Sequence, residues 1–394
     1  MPATVYFASA RGTSECNKFK RITMLLERVG LAGRFGPGDL VAVKAHWGEP
    51  GNADFIPSFF VRHVVEAVAK TGASPFLTDT NTLYRGRRHN AVENLRAAAD
   101  NGFSLLTVGA PVMIADGLRG TDYRTVEVPN GRHVKSARIA SAVADADGLV
   151  VISHVKGHVV FGFGGALKNL GMGAAAAAAK QFLHSDVRPR VKGSKCIACG
   201  ACVGHCGFGA IRLAGGGPAN DAAGARAGKA ASESRGTSDR RRTVAVIDRD
   251  LCTGCGECII VCPEHAIPIH WGNDFAATME KSAEYALAAV DGKGRKVVYL
   301  NFLTSITPDC DCCDWSDAPI VPDIGYLASD DPVAVDQASL DLVNRFEGFP
   351  DRLSVAPSPD RFRAIHDVDS TPTLAHAQSL GLGRRDYRLV RVDE

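Results

Sequence analysis

Long apolar runs are missing from this sequence, and their absence excludes one class of protein. No stretch of eighteen consecutive apolar residues occurs in the 394 residues, so we expect no transmembrane helix. The first sixteen residues lack the charged and then apolar layout of a secretory signal. An excess of charge is missing too: the net charge is +2 and the basic residues are scattered, which argues against nucleic acid or an anionic membrane as a partner.

One segment also lacks every large apolar residue. Between Ala214 and Arg242 there is no Val, Ile, Leu, Met, Phe, Trp or Tyr, and the segment consists mainly of Ala, Gly, Ser, Arg and Asp. Such a composition cannot bury a core. We therefore predict that residues 214–242 are a disordered insertion.

Elsewhere, short β-rich runs alternate with longer helical stretches. The predicted strands are Asp39–Ala45, Ser74–Asp79, Ala146–Ser153 and Lys296–Phe302, and the predicted helices are Pro57–Lys70, Ala91–Asn101, Phe275–Val290 and Pro332–Phe346. Asp331 is the predicted cap of the last helix. This alternation predicts an α/β domain with a mostly parallel sheet, in which ligands bind at the carboxyl ends of the strands.

Cysteine is abundant, with twelve residues. In a chain that shows no secretory signal they indicate metal rather than disulfides, and we expect the protein in a reducing cytoplasm. Eight of them form two runs of the pattern C-x2-C-x2-C-x3-C, in which the fourth cysteine of each run ligates the other cluster of a two-cluster ferredoxin. The predicted ligands are Cys196, Cys199, Cys202 and Cys262 for one [4Fe–4S] cluster, and Cys252, Cys255, Cys258 and Cys206 for the other.

A pair of zinc sites is the alternative for these cysteines. Zinc ligands usually come in pairs, whereas here two complete runs of four recur. The second run matches the bacterial ferredoxin signature through Pro263, while the first has Gly207 where proline is usual and keeps its ligands. We predict an α+β module of the bacterial 2[4Fe–4S] ferredoxin type at residues 187–272, inserted between two parts of the α/β domain at 1–186 and 273–394.

Polar residues follow three of the predicted strands, and these residues indicate a shared ligand site. The predicted catalytic residues are His154, Lys156, His158 and Lys168. The predicted cofactor-binding residues are Gly162, Gly164, Gly165, Asp79 and Asn81. Glycine allows a backbone to approach a ligand closely, although the alternative is that these glycines serve only tight packing. The run is not a Walker A loop, and Leu167 replaces the third glycine of a dinucleotide fingerprint, so a nucleotide ligand is weakly supported.

Three further cysteines, Cys310, Cys312 and Cys313, are not needed by either cluster. Cys310 and Cys312 form a C-x-C pair that suits zinc, iron or nickel when one histidine joins it. A third metal or cofactor site is the first interpretation. A redox-active thiol pair and buried structural cysteines are the alternatives.

The chain resembles a family of bacterial and archaeal iron–sulfur-center proteins whose main domain has no assigned function. The resemblance is carried by His154–Gly173 (HVKGHVVFGFGGALKNLGMG), Thr78–Arg87 and Cys310–Asp336, and it spans nearly the whole chain. It implies an α/β domain with a two-cluster ferredoxin module and no settled reaction.

The segment from His154 to Lys168 also resembles, more weakly, the catalytic domain of nickel-pincer lactate racemases. In those enzymes a histidine before a glycine-rich stretch helps to hold the cofactor, which would make His154 or His158 the counterpart. The racemases lack the ferredoxin module, so their reaction type does not carry over.

Three functions are compatible with these observations. The favoured one is an iron–sulfur oxidoreductase that relays electrons to a substrate or cofactor in the α/β domain, with a protein as electron donor or acceptor and a small molecule of unknown identity as substrate. The alternatives are a ferredoxin-like electron carrier without enzymatic activity, and a metal-cofactor isomerase or cofactor-assembly protein.

Overall fold

The computed structural model describes residues 1–84, 86–184, 188–215, 243–252, 254, 256–269, 272, 274–346 and 359–393. The predicted cluster ligand Cys255 and residues 216–242 of the predicted insertion therefore lie outside the described residues. The strands are β1 (Ala3–Ser9), β2 (Leu40–Lys44), β3 (Ser74–Asp79), β4 (Val112–Ile114), β5 (Tyr123–Glu127), β6 (Ser136–Ala140), β7 (Gly148–His154), β8 (Lys156–His158), β9 (Gly162–Gly164), β10 (Ile211–Gly215), β11 (Thr243–Ile247), β12 (Val297–Leu303), β13 (Gly325–Ser329) and β14 (Tyr387–Arg391). The α-helices are α1 (Lys18–Arg28), α2 (Ser58–Ala69), α3 (Ala91–Asp100), α4 (Leu105–Val108), α5 (Ser141–Ala144), α6 (Ala166–Gly171), α7 (Ala177–His184), α8 (Ala201–Gly204), α9 (Glu257–Val261), α10 (Phe275–Ala289), α11 (Pro332–Arg345), α12 (Arg361–His366) and α13 (Thr371–Ser379).

An eight-stranded sheet lies at the centre of the fold, in the order β14–β1–β13–β12–β7–β2–β3–β4. Strands β12, β7, β2, β3 and β4 pair in parallel, as do β1 and β14. Strand β13 is antiparallel to both of its neighbours, and so it runs opposite to the other strands of this sheet. The prediction of an α/β fold with a mostly parallel sheet is confirmed.

The central strands are buried on both faces because helices cover both sides of the sheet. Every residue of β7 and β12 is buried. Successive side chains of β7 point to opposite faces, so Leu149 and Val151 join one apolar core while Val150 and Ile152 join the other. Such continuous apolar runs are typical of parallel strands with helices on both sides.

The strand order reverses between β2 and β7. The chain proceeds outward from β2 to β3 and β4 and then returns to β7 on the other side of β2. Parallel sheets bind ligands in the crevice outside the carboxyl ends of their strands at such a reversal. The ends of β2, β3 and β7 are therefore the expected position of a site.

The predicted elements are present, with ends that differ by at most two residues. His154, which we predicted to follow its strand, is the last residue of β7. No secondary structure was predicted for Lys156–His158 and Gly162–Gly164, and they form an antiparallel hairpin. Asp331 caps α11 as predicted, because its carboxylate accepts hydrogen bonds from the backbone N–H groups of Val333 and Ala334.

The cysteine-rich part of the chain has its own small core. It contains the antiparallel pair β10–β11 and the short helices α8 and α9, with Ile211, Ala245 and Ile267 buried among the cysteines. The prediction of disorder from Ala214 was wrong for its first two residues, since β10 continues through Gly215, which pairs with Thr243. The pairing uses backbone groups and so does not need the large side chains that this stretch lacks. The assignment to the ferredoxin type stays a prediction.

Among the described residues, no helix is both long enough and apolar enough to cross a membrane.

Candidate active site

A cleft of about 550 Å³ lies at the carboxyl ends of β2, β3 and β7. This is the size of ordinary small-molecule sites. The residues that line it include four lysines, an arginine and four histidines: Lys44, Lys156, Lys168, Lys180, Arg88, His46, His154, His158 and His184. Asp79 is the carboxylate among the described lining residues.

Asp311 anchors the end of β7 from behind the cleft. Its carboxylate lies 2.9 Å from Nδ1 of His154 and 3.1 Å from Nζ of Lys156. Burial disfavours its charge, but the contacts with His154 and Lys156 offset this and hold the pKa of Asp311 well below its usual range. The Nε2 atom of His154 lies 2.9 Å from the carbonyl oxygen of Thr304, so both ring nitrogens face acceptors. These contacts on both sides fix the orientation of the buried His154 ring.

Lys44 and Asp79 form a buried ion pair across the ends of β2 and β3. Lys44 Nζ lies 2.9 Å from Asp79 Oδ1 and 2.7 Å from Oδ1 of Asn169 on α6. Burial raises the pKa of Asp79, but Lys44 and other nearby cations lower it to about 2. Asn169 also donates to the carbonyl oxygen of Ile152 on β7, so one side chain ties α6 to two strands.

Arg88 forms the third buried ion pair of the cleft. Its Nε atom lies 2.7 Å from Oε2 of Glu49, and its Nη2 atom donates to the hydroxyl of Tyr84 at 2.5 Å. Glu49 also accepts from the backbone N–H of Arg87 at 2.9 Å. A loop between β3 and α3 is thereby fastened to the end of β2.

Lys180 on α7 contacts oxygen atoms that carry no charge. Its Nζ atom donates to Oγ1 of Thr80 at 2.8 Å and to the carbonyl oxygen of Asn81 at 2.6 Å. Burial lowers the pKa of Lys180 to about 8, although Asp116 and Asp79 favour its charge. Asn81 itself lies behind the cleft, where its amide donates to Asp116 at 2.9 Å.

The cations of the cleft are only partly neutralised. Asp79, Glu49 and Asp311 pair with Lys44, Arg88 and Lys156 respectively. Among the described residues, no carboxylate oxygen forms an ion pair with Lys168 or Lys180. Buried charges normally have a counter-charge. The cleft therefore suits an anionic ligand.

Cys310 and Cys312, which follow β12, lie close to His158 in the β8–β9 hairpin at one side of the cleft. Ligand atoms of His158, Cys310 and Cys312 lie within 4.8 Å of one another, and Cys312 lines the cleft. Lys168 Nζ lies 3.2 Å from Cys310 Sγ. A hydrogen bond with Cys312 and the charge of Lys168 hold the pKa of Cys310 well below its usual range, against the effect of burial. The distances between these atoms alone allow both the predicted third metal site and the thiol-pair alternative.

The three predicted glycines lie in different surroundings. Gly164 and Gly165 line the cleft, whereas Gly162 packs against Val368 and Ser370. A Cβ atom at Gly165 would lie 2.3 Å from Oδ1 of Asp336, so this glycine is required for packing. Cofactor binding by these glycines stays a prediction.

Lys44, Arg88 and Lys180 were missed by sequence reasoning. Two of them carried a signal: Lys44 is a lone charge in an apolar strand, and Lys180 directly follows a run of six alanines. Burying a charged side chain at such a position costs free energy unless the charge has a partner. A lysine there therefore indicates a partner or a function. Arg88 carried no such signal, because it lies among other polar residues in a loop.

The predicted cluster cysteines line two separate cavities in the cysteine-rich part. Cys196, Cys199, Cys202 and Cys262 line the first cavity. Cys206, Cys252 and Cys258 are the cysteines among the described residues that line the second. Each cavity thus combines cysteines from both runs. Backbone N–H groups point at sulfur in both, for example from Ala245 to Cys196 and from Ala210 to Cys206, each at 3.3 Å.

Helix α7 separates the second cysteine cavity from the cleft. Gly256 lines that cavity, and a Cβ atom placed on it would lie 2.1 Å from Cβ of Gln181 on α7. The neighbouring Lys180 and the last residue of the helix, His184, line the cleft. One short helix therefore contacts both sites.

Comparison with known proteins identifies the family of the chain. None of the curated proteins matches it. The structure of the lactate racemase apoprotein from Thermoanaerobacterium thermosaccharolyticum is similar at 13% identity and a TM-score of 0.29, over 47% of this chain and 41% of that one, which is too distant to bear on function. The model of the family described as "Domain of unknown function (DUF362)" matches residues 41–341, which is most of the chain. The chain therefore belongs to the DUF362 family.

Proposed function

We propose that this protein is an iron–sulfur oxidoreductase that acts on a small anionic molecule bound in the cleft. The observation that supports it best is the crossed arrangement of the cysteines, since each of the two cavities takes cysteines from both runs. This is the arrangement that the two-cluster ferredoxin pattern requires. Zinc sites would not require this exchange of ligands between the runs.

The residues present fit [4Fe–4S] clusters in two respects. Thiolates are the ligands that iron–sulfur clusters use, and the first cavity offers four. Cys196 Sγ accepts hydrogen bonds from the backbone N–H groups of Ala198 and Ala245, and Cys262 Sγ accepts one from that of Ala266. Such hydrogen bonds stabilise charge on sulfur and tune reduction potential. When bound, the clusters would supply one-electron transfer.

The cleft would bind and orient the substrate. Lys168 and Lys180 supply positive charge, and Lys44, Arg88 and Lys156 are held in place by their carboxylate partners. The apolar lining from Val160, Phe161 and Phe275 excludes water from the bound molecule. A carrier without a substrate would not need a cleft with a buried lysine, Lys180, that contacts only uncharged oxygen atoms.

Anaerobic purification followed by iron and sulfide analysis tests the cluster part of the proposal. We expect about eight iron and eight sulfide ions per chain and the electron paramagnetic resonance of reduced [4Fe–4S] clusters. Cys258→Ser should lower the iron content, whereas Cys16→Ser, which changes a cysteine outside both runs, should not. Zinc in place of iron in protein purified from iron-replete cells would refute it.

Stopped-flow oxidation of the reduced protein tests the oxidoreductase part. Small anions of several classes are mixed with dithionite-reduced protein, and we expect at least one to accelerate oxidation in wild type and much less in Lys168→Met. If none does so, while a redox protein is reduced equally fast by wild type and variant, the chain is an electron carrier instead.

A further inference from the structure

We propose that Cys310 and Cys312 are a redox-active thiol pair that reduces a small disulfide bearing carboxylate groups. Cys310 is buried and Cys312 is partly exposed in the wall of the cleft. Their sulfur atoms lie within 4.8 Å of each other. A substrate in the cleft would meet Cys312 first.

The neighbours of Cys310 favour a sulfur anion over a metal ion. Lys168 Nζ lies 3.2 Å from its Sγ atom, and the backbone N–H of Cys312 donates to the same atom at 3.4 Å. Both groups present positive charge to the sulfur. They would stabilise a thiolate, whereas a divalent ion bound there would be repelled by the lysine.

The orientation of His158 is also wrong for a metal ligand. Its Nδ1 atom accepts hydrogen bonds from the backbone N–H groups of Val160 at 3.0 Å and Phe161 at 3.2 Å. The ring proton of neutral His158 is therefore on Nε2, where it donates toward Cys310. Histidines that bind metal normally donate from the nitrogen that does not bind it, which is the reverse arrangement.

The charge of the cleft defines the class of disulfide. Lys168 faces the sulfur of Cys310, whereas Lys180 has no carboxylate partner among the described residues and lies on the helix that also contacts the cysteine-rich part. A disulfide with carboxylate groups would supply a negative charge to Lys180. A cationic disulfide of similar size would be repelled.

The exchange balances as a two-electron reaction. The sulfur of Cys312 attacks one sulfur of the substrate R–S–S–R as its proton passes to the Cys310 thiolate, and RS⁻ leaves. Cys310 then attacks the Cys312 sulfur, its proton passes to the second product RSH, and a Cys310–Cys312 disulfide remains. The substrate is reduced by two electrons and the pair is oxidised by two. The inference rests on the proposed oxidoreductase function in one respect only, which is the supply of the two electrons that reduce the Cys310–Cys312 disulfide back to the thiol pair.

Mass spectrometry of the iron-loaded protein tests the exchange. The pair is first reduced with dithiothreitol, which makes the result independent of cluster reduction, and then oxidised glutathione is added anaerobically. We expect the peptide that contains Cys310 and Cys312 to lose two hydrogen atoms, with the iron content unchanged. Cys310→Ser should accumulate a glutathione adduct on Cys312, Cys312→Ser should form no internal disulfide, and Cys16→Ser should behave as wild type.

Cystamine, a cationic disulfide, tests the charge preference. Oxidised glutathione should react about tenfold or more faster than cystamine, and Lys180→Met should reduce the difference. The inference is overturned if oxidised glutathione leaves the peptide unchanged or if both disulfides react equally fast. It is also overturned if the protein as purified holds one zinc or nickel ion per chain that Cys310→Ser loses.

Discussion

At the scale of single residues, the lysines of the cleft differ in how they are held. Lys44 and Lys156 each have a carboxylate within about 3 Å, whereas Lys180 contacts a hydroxyl and a carbonyl oxygen. Partial dipoles stabilise an ammonium group less than a full charge does, which is why burial lowers the pKa of Lys180 to about 8. The charge of Lys180 therefore depends on pH near neutrality.

We predict that the cleft loses affinity for anions as the pH rises from 7 to 9. Lys180 is protonated below a pKa of about 8 and neutral above it, so the attraction is present at pH 7 and lost at pH 9. Sulfate binding, measured by calorimetry, should weaken roughly tenfold across this range, as expected for one charge-assisted hydrogen bond. Sulfate is a suitable probe because its own charge does not change.

Two variants complete this measurement. Lys180→Met should bind sulfate at pH 7 as weakly as wild type does at pH 9, with no further loss on raising the pH. Lys293→Met removes a lysine that donates to the carbonyl oxygens of Ala144 and Ala146 at the opposite end of β7, and it should keep the wild-type pH profile. A pH profile that Lys180→Met leaves unchanged would assign the effect to another group.

At the scale of elements, the position of α6 depends on a carboxylate from another helix. Asp336 on α11 accepts hydrogen bonds from the backbone N–H groups of Ala166 at 2.7 Å and Leu167 at 2.9 Å, at the start of α6. It also accepts one from Asn301 on β12 at 2.7 Å. Because α6 carries Lys168 and Asn169, Asp336 orients part of the cleft without lining it.

We predict that Asp336→Ala lowers the free energy of unfolding by about 2–4 kcal/mol, since it leaves buried donors without an acceptor. The control is Asp341→Ala on the same helix, which removes half-exposed hydrogen bonds to Gln337 and Tyr387 and should cost about 1 kcal/mol. Denaturant unfolding measures both. Equal losses of unfolding free energy would show that the hydrogen bonds from Asp336 to α6 stabilise the protein no more than those of Asp341 do.

Sequence patterns predicted the central strands and helices because these elements are long and their apolar periodicity is clear. The hairpin of β8 and β9 was not predicted, since three-residue strands rich in glycine show no alternation. The cleft was predicted in part: His154, Lys156, His158 and Lys168 do meet at the strand ends. The ion pairs of Lys44 and Arg88 were not predictable, because they join residues that only the tertiary fold brings together.

At the scale of the whole molecule, the cysteine-rich part and the α/β part meet at helices α7 and α9. Gly256 has a φ of +80° and faces Gln181, whereas Gly254 has a φ of +77° and no atom within 4 Å of the position of its Cβ. The two glycines have the same backbone conformation and differ in their surroundings. They therefore form a matched pair for testing this contact.

We predict that Gly256→Ala destabilises the contact by about 1–3 kcal/mol more than Gly254→Ala does. Both substitutions place a side chain in the left-handed region at a cost of about 1 kcal/mol, but only the first forces the new methyl group into Gln181. Limited proteolysis and thermal unfolding should show earlier release of the cysteine-rich part in Gly256→Ala. Identical behaviour of the two variants would mean that α7 and α9 separate freely.

The pairing of Gly215 with Thr243 has a consequence for how this chain tolerates changes in length. Because these two residues are directly opposite each other at the tip of β10–β11, the two points at which residues 216–242 join the hairpin lie side by side. Replacing them with Asn-Gly, a two-residue turn that suits such a hairpin, should leave iron content and unfolding temperature unchanged. The tip of β10–β11 would then be a place where a reporter, an affinity tag or an entire folded partner can be spliced into the protein without disturbing the cysteine cavities.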